Sequence, residues 1–440
     1  METPIYDFLK TYEKEGKVRL HMPGHKGLPI LGCEKWDITE VKGADALYEA
    51  EGIIAQSEVN AAALFGTEKT FFVTEGSSQA IRAMVHLAAR GKEKPWFLAA
   101  RNAHKAFLYA LALCDAEVVW LWPEKTDSVC ACPITAEQVE KALQEAQHPP
   151  AAVYVTSPDY LGNELPVREI AEVCHKYGTL LLVDNAHGAY LRFLPQDRHP
   201  ISLGADMCCD SAHKTLPVLT GGAYLHISKN APKALWEGGK QALALFGSTS
   251  PSYLVLASLD LCNRYLAEQM QTKLQTVLPM IAKTKEALRQ KGWEVTGTEP
   301  VKITIRCPGK EVADRLRKQN IECEYADRDF LVLMPSVQTT KEDLDRLKDA
   351  IGENTYPRLE GGFAYSLPEK VLSPRQAIFA PWEWADVAES EGRIGASPTV
   401  GCPPAVPIVV SGERIDKKAA ELLTYYGFDR VAVVEESGKA

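Results

Sequence analysis

Between residues 53 and 222, short apolar runs alternate with stretches of helical periodicity, and this rhythm limits the possible folds more than any other feature of the chain. Thr70–Val73, Trp96–Ala100, Glu117–Trp122, Ala152–Thr156 and Thr179–Asp184 are rich in β-branched or aromatic residues and suit strands buried on both faces. Ile54–Leu64, Ala80–Ala89, Ala106–Leu113, Ile134–Ala146 and Val167–His175 carry helical spacing. In the second of these, Ile81, Met84, Val85 and Ala88 share one face. Strand and helix in alternation predict an α/β fold, a mostly parallel sheet with helices on both faces.

The pattern changes on either side. Ile5, Phe8, Leu9 and Tyr12 make the stripe of a short helix, and H-M-P-G-H-K-G at 21–27 cannot be helical. Ser252–Lys291 reads as one long helical region that Pro279 should kink. Strands at Lys302–Arg306, Ile321–Tyr325 and Phe330–Met334 surround a helix at Lys310–Lys318, and a helix follows at Lys341–Ile351. The remainder is Pro-rich and irregular through Pro407, then helical at Lys417–Tyr426. The expected parts are an N-terminal arm (1–52), a large domain (53–290), a smaller α/β domain (291–356) and a C-terminal domain (357–440).

Composition excludes several classes. The 440 residues are 46% hydrophobic and carry a formal charge of −9, against the basic balance of a nucleic-acid or acidic-membrane binder. No apolar run approaches the ~18 residues of a membrane span. Met1–Leu20 is too charged for a signal peptide. The 11 cysteines lack C-x-x-C spacing, which points to free thiols in a reducing cytoplasm and to no metal site.

Four runs carry chemistry. In D-S-A-H-K-T at 210–215, Lys214 stands beside a histidine and two hydroxyls, as a Schiff-base lysine would, although a solvated loop lysine would read the same way. Upstream, T-L-L-L-V-D-N-A-H-G ends a strand on Asp184, where open α/β sheets bind their ligands. An acid there can pair with the pyridinium nitrogen of pyridoxal 5'-phosphate (PLP), or simply cap the next helix. T-E-G-S-S-Q-A at 74–80 joins strand to helix. Gly76, Ser77 and Ser78 there offer a phosphate site or an ordinary capping turn, and the run is neither a nucleoside-triphosphate nor a dinucleotide loop. His104, in R-N-A-H-K, could stack on a planar cofactor, and His187 could orient cofactor or substrate or merely hold its turn.

Phosphate turn, stacking ring, strand-end Asp and then Lys is the order of the fold-type I PLP enzymes. Across nearly the whole chain the sequence also resembles the Orn/Lys/Arg decarboxylases. The resemblance rests on H-M-P-G-H-K-G, D-I-T-E at 37–40, L-F-G-T-E-K-T-F-F at 64–72, T-S-P at 156–158, D-x-A-H-G at 184–188 and S-A-H-K-T-L-P at 211–217. It continues through L-S-P-R-Q-A at 372–377, G-R-I at 392–394 and P-I-V-V-S-G-E at 407–413.

The resemblance implies an aspartate aminotransferase-like large domain, at 53–290, that binds PLP, and a C-terminal domain of the decarboxylase type. Lys214 would hold PLP, Asp184 would pair with its ring nitrogen, and His104 would stack on the ring. Gly76, Ser77, Ser78, Ser211 and His213 would contact the phosphate. The implied reaction is decarboxylation of arginine, lysine or ornithine by a homodimer or higher homo-oligomer. Other fold-type I reactions, or an idle PLP-binding regulator, are the alternatives. Glu413, at the end of an apolar run, would face the basic end of the substrate or cap the next helix. The family's D-E-A-H-G-A-H is here D-N-A-H-G-A-Y, T-S-P-T-Y is T-S-P-D-Y, and Y-P-P-G-[IV]-P is C-P-P-A-V-P. Asn185, Tyr190, Asp159, Cys402 and Ala405 are thus departures, concentrated where substrate would be read.

Overall fold

The structure is a computed structural model that describes residues 1–359, 362, 367–399, 401 and 404–435. Cys402 lies outside the described residues. Along the chain come α1 (Pro4–Lys14), α2 (Ile53–Phe65), β1 (Lys69–Val73), α3 (Gly76–Ala89), β2 (Trp96–Ala100), α4 (Lys105–Leu113) and β3 (Glu117–Leu121). Next are α5 (Ala136–Glu145), β4 (Ala152–Thr156), α6 (Val167–Lys176), β5 (Leu180–Asp184), β6 (Met207–Asp210), α7 (Ala212–Thr215) and β7 (Ala223–Ile227). Helices α8 (Lys233–Glu237), α9 (Gly239–Ala244), α10 (Tyr253–Glu268) and α11 (Met270–Gln290) follow. The rest is β8 (Glu294–Thr296), β9 (Ile303–Arg306), α12 (Gly309–Arg317), β10 (Tyr325–Ala326), β11 (Phe330–Leu333), α13 (Lys341–Ile351), α14 (Pro374–Phe379), β12 (Trp382–Asp386), α15 (Lys417–Tyr425) and β13 (Arg430–Val434).

The chain divides into two compact units, Met1–Ala88 with Leu181–Leu274, and Ala89–Leu180 with Gln275–Ala440. In the first, strands lie in the order β1-β7-β6-β5. β5 and β6 are parallel, with Asp184 opposite Cys209, and β7 runs antiparallel to both of its neighbours. Helix α1 buries Ile5, Leu9 and Tyr12, and Asp260 of α10 accepts from the Ile5 and Tyr6 amides at 2.9 Å each. The apolar stripe of α1 is therefore spent within its own unit. The segment after it leaves Val18, Leu20, Leu28, Ile30 and Leu31 exposed.

In the second unit β4-β2-β3 are parallel. A four-stranded antiparallel sheet, β10-β11-β9-β8, and the ribbon β12-β13 complete it. One apolar core there joins Val129, Tyr160, Phe330, Val332, Ile408, Ile415, Leu423 and Val433. The C-terminal region is more regular than its prolines suggest, since α14 and the ribbon form there. The long helical region also breaks elsewhere than expected. It ends at Gln269, whose amide caps α10 on the Tyr265 carbonyl at 2.9 Å, and Pro279 sits inside α11 without ending it. Burial of Leu274, Val277, Ile281 and Leu288 along α11 offsets the one backbone bond that a proline removes.

Candidate active site

In the first unit, β5 and β6 bring Asp184 and Asp210 to neighbouring strand ends. Asp184 is 3% exposed, and its Oδ1 accepts from the Ala186 amide at 3.1 Å and lies 3.6 Å from the Cys209 thiol. Burial pushes that thiol well above its ordinary range, so it stays a neutral donor. Directly after β6, Ser211 precedes the single turn α7, which carries His213 and Lys214. Lys214 Nζ is 3.2 Å from His187 Nε2, a residue of the turn that follows Asp184. Lysine, histidine and strand-end acid thus come from adjacent segments.

The expected phosphate turn opens α3. Gly76 holds φ +71 and has nothing within 4 Å of where a Cβ would stand, so the space there is open. The first N–H groups of a helix have no intrahelical acceptor, which suits an anion. Ser211 donates its hydroxyl to Ser77 Oγ at 2.7 Å, bringing two of the expected phosphate residues together. Ser78 is half-buried beside them, and His213 Nδ1 bonds the Gly222 carbonyl at 3.0 Å. An open glycine turn at a helix start, paired serines, a lysine and a buried acid form a donor set that fits PLP.

Behind this lies a network that the sequence did not announce. Asp210 is fully buried, and its Oδ2 bonds His199 Nε2 at 3.0 Å and His226 Nε2 at 3.1 Å. The two rings hold its carboxyl below the usual carboxylate range despite the burial. Asn185 Nδ2 donates to Asp210 Oδ1 at 2.6 Å, which gives this departure from the family pattern a partner. The signal was an Asp at the end of a short apolar run, in a stretch read only for its lysine.

His104 and Glu413 belong to the second unit. His104 caps α4, its Nδ1 accepting from the Ala106 amide at 3.1 Å. Glu413, expected to face substrate or to cap the next helix, does not cap that helix. It is 5% exposed, and its Oε2 accepts from Arg101 Nη2 at 3.2 Å and from the Val410 amide at 2.8 Å. Burial raises its carboxyl, and Arg101 pulls in the other direction. The cap of α15 is Asp416 instead. Asp159 is likewise committed to its own turn, accepting from the Leu161 and Asn163 amides at 2.9 Å each.

Fold and site together define a PLP-dependent enzyme of fold type I. The family profile "Orn/Lys/Arg decarboxylase, major domain" matches residues 3–307, and its C-terminal domain matches 359–433. The chain belongs to the Orn/Lys/Arg decarboxylases, whose chemistry is PLP-dependent amino-acid decarboxylation. It is 29% identical to an arginine decarboxylase of Bacillus subtilis, over 95% of this chain and 92% of that one. It is also 29% identical to the uncharacterized protein YaaO of the same organism, over 96% and 94%. Lysine decarboxylase A from Pseudomonas aeruginosa has the same fold, with a TM-score of 0.82 at 19% identity, over 98% of this chain and 80% of that one. Among the described residues no helix is long and apolar enough to cross a membrane.

Proposed function

We propose that the chain removes CO₂ from a basic amino acid, arginine ahead of lysine and ornithine, to give the corresponding amine. The observation that carries the catalytic part is the 3.2 Å approach of Lys214 Nζ to His187 Nε2 beside the buried Asp184. PLP, when bound, supplies the electron sink that accepts the pair left behind as CO₂ departs. Lys214 would hold the cofactor's aldehyde carbon, and Asp184 would keep a proton at its ring nitrogen. Gly76, Ser77, Ser78, Ser211 and His213 would bind its phosphate, and His104 would cover the ring face. A proton can pass between Lys214 Nζ and His187 Nε2, so either group can deliver it to the substrate's α-carbon.

Arginine leads because full-length relatives at 29% identity carry that name. A buried guanidinium needs an acidic partner, and the commitment of Glu413 to Arg101 leaves that partner unassigned. The break in the family match between 307 and 359 supports a separate C-terminal domain from about the expected boundary at 356. The described cysteines are all free thiols, which supports a cytoplasmic setting. The exposed apolar side chains at 18–31 support a homodimer, since patches of this kind mark interaction surfaces. Light scattering at assay concentration tests that reading, and an active monomer would contradict it.

The activity is tested with purified protein, PLP and a panel of amino acids, with CO₂ and amine both measured. Equal amounts of the two from arginine or lysine are expected. Keto acid in place of amine, or no turnover of any basic amino acid, would overturn the proposal.

A further inference from the structure

The surroundings of Glu413 are a buried pairing with Arg101. Its partner Arg101 is 2% exposed and stands directly after β2, three positions before His104. The guanidinium is held almost wholly by the C-terminal segment. Nη1 donates to the Pro407 carbonyl at 3.0 Å, and Nη2 donates to the Ile408 carbonyl at 2.8 Å and to Glu413. It also lies 5.3 and 5.1 Å over the rings of Trp120 and Trp122.

The same segment grips the other side of His104. The Lys105 amide, the first of α4, donates to the Ala405 carbonyl at 2.9 Å. Asn102, between the two grips, donates its side chain to the Cys130 carbonyl at 3.1 Å. The far end of α4 is held by the C-terminal region too, through Arg375 Nη1 on the Ala112 carbonyl at 3.0 Å. The chain on both sides of His104 is therefore anchored, by the Arg101 side chain and the Lys105 amide, to residues about 300 positions later, as the Arg101–Glu413 separation of 312 shows.

We propose that Arg101 and Glu413 are positioning residues for His104, and that the C-terminal segment 405–413 fixes the backbone from which this ring projects. The proposal rests on the reading of His104 as the ring that covers PLP. An arginine suits the task because its planar fork can satisfy two carbonyls and a carboxylate at once, which a lysine cannot do.

The test uses the full-length protein with Arg101→Lys, Glu413→Gln, His104→Ala and the pairwise combinations. Three readouts are taken: PLP dissociation constant, circular dichroism of the bound cofactor, and hydrogen exchange of the first α4 amides without cofactor. Arg101→Lys and Glu413→Gln should each weaken PLP binding by about tenfold, change the cofactor dichroism and speed exchange at residues 105–108. In the His104→Ala background neither should weaken PLP further, because groups acting through one residue are not additive. Thermal unfolding identifies any variant that fails to fold, and the mild Glu413→Gln change keeps the test usable if Arg101→Lys does so. PLP affinity within twofold of the parent in both variants would overturn the proposal, as would losses that add in full to that of His104→Ala. A raised KM with unchanged PLP affinity in Glu413→Gln would return Glu413 to the substrate. None of these binding readouts depends on which amino acid is decarboxylated, so they stand apart from the activity panel.

Discussion

Asn185 donates to Asp210 at 2.6 Å, with both side chains fully buried at the ends of neighbouring strands. The pair ties the segment after Asp184 to the segment that leads into Lys214, and it works because one member is neutral. The Asn185→Asp variant would set two carboxylates against each other, and one would have to keep its proton. That proton-bearing acid would have a raised folded-state pKa, so its penalty is absent at low pH and grows as pH rises. The variant should lose about 3 kcal/mol of stability at pH 8 and recover part of it at pH 5. Denaturant unfolding at both values checks this, and an equal loss at both would contradict it.

Asp260 anchors α1 through the Ile5 and Tyr6 amides and accepts from Ser57 Oγ at 2.5 Å. Burial outweighs these bonds and pushes its carboxyl up to about 6. A folded-state pKa above the unfolded one favours the protonated form, so the stabilisation is full below the unfolded value and is lost as pH rises through about 6. The stability difference between Asp260→Asn and the parent should therefore shift toward the variant by about 2–3 kcal/mol between pH 4 and pH 8. A difference that does not change with pH would show that Asp260 ionises normally.

Ala405 occupies φ +59, the left-handed region, at the position where the family pattern has glycine. An L-residue there costs about 1–2 kcal/mol, partly offset by the extra freedom that glycine gives the unfolded chain. Ala405→Gly should raise stability by about 0.5–1 kcal/mol, seen as a higher denaturant midpoint with an unchanged slope. Destabilisation would mean that the methyl group makes contacts worth more than the backbone strain.

Much of this was legible before any coordinates. The strands through Asp184 could be read because each is an apolar run bounded by polar turns, and β2 and β4 match their expected limits. Strand β7 was missed because it follows Gly221–Gly222 and carries Tyr224 and His226, polar groups that look out of place in a core until Asp210 and Thr70 are seen to bond the histidine. Lys214, His187 and Asp184 could be proposed from sequence because each stands at or just after a strand end, and the structure brings Lys214 within 3.2 Å of His187. The pairing of Glu413 could not, because its partner Arg101 lies 312 residues away and no local pattern encodes it.

The central claim, that Lys214 carries the cofactor, is tested most directly by trapping. The holoenzyme is reduced with borohydride, digested, and mapped for the pyridoxyl group by mass spectrometry. The modification is expected on the peptide that contains Lys214, and should be absent when Lys214→Ala is treated in the same way. A pyridoxyl group on any other lysine, or undiminished labelling in the variant, would contradict it.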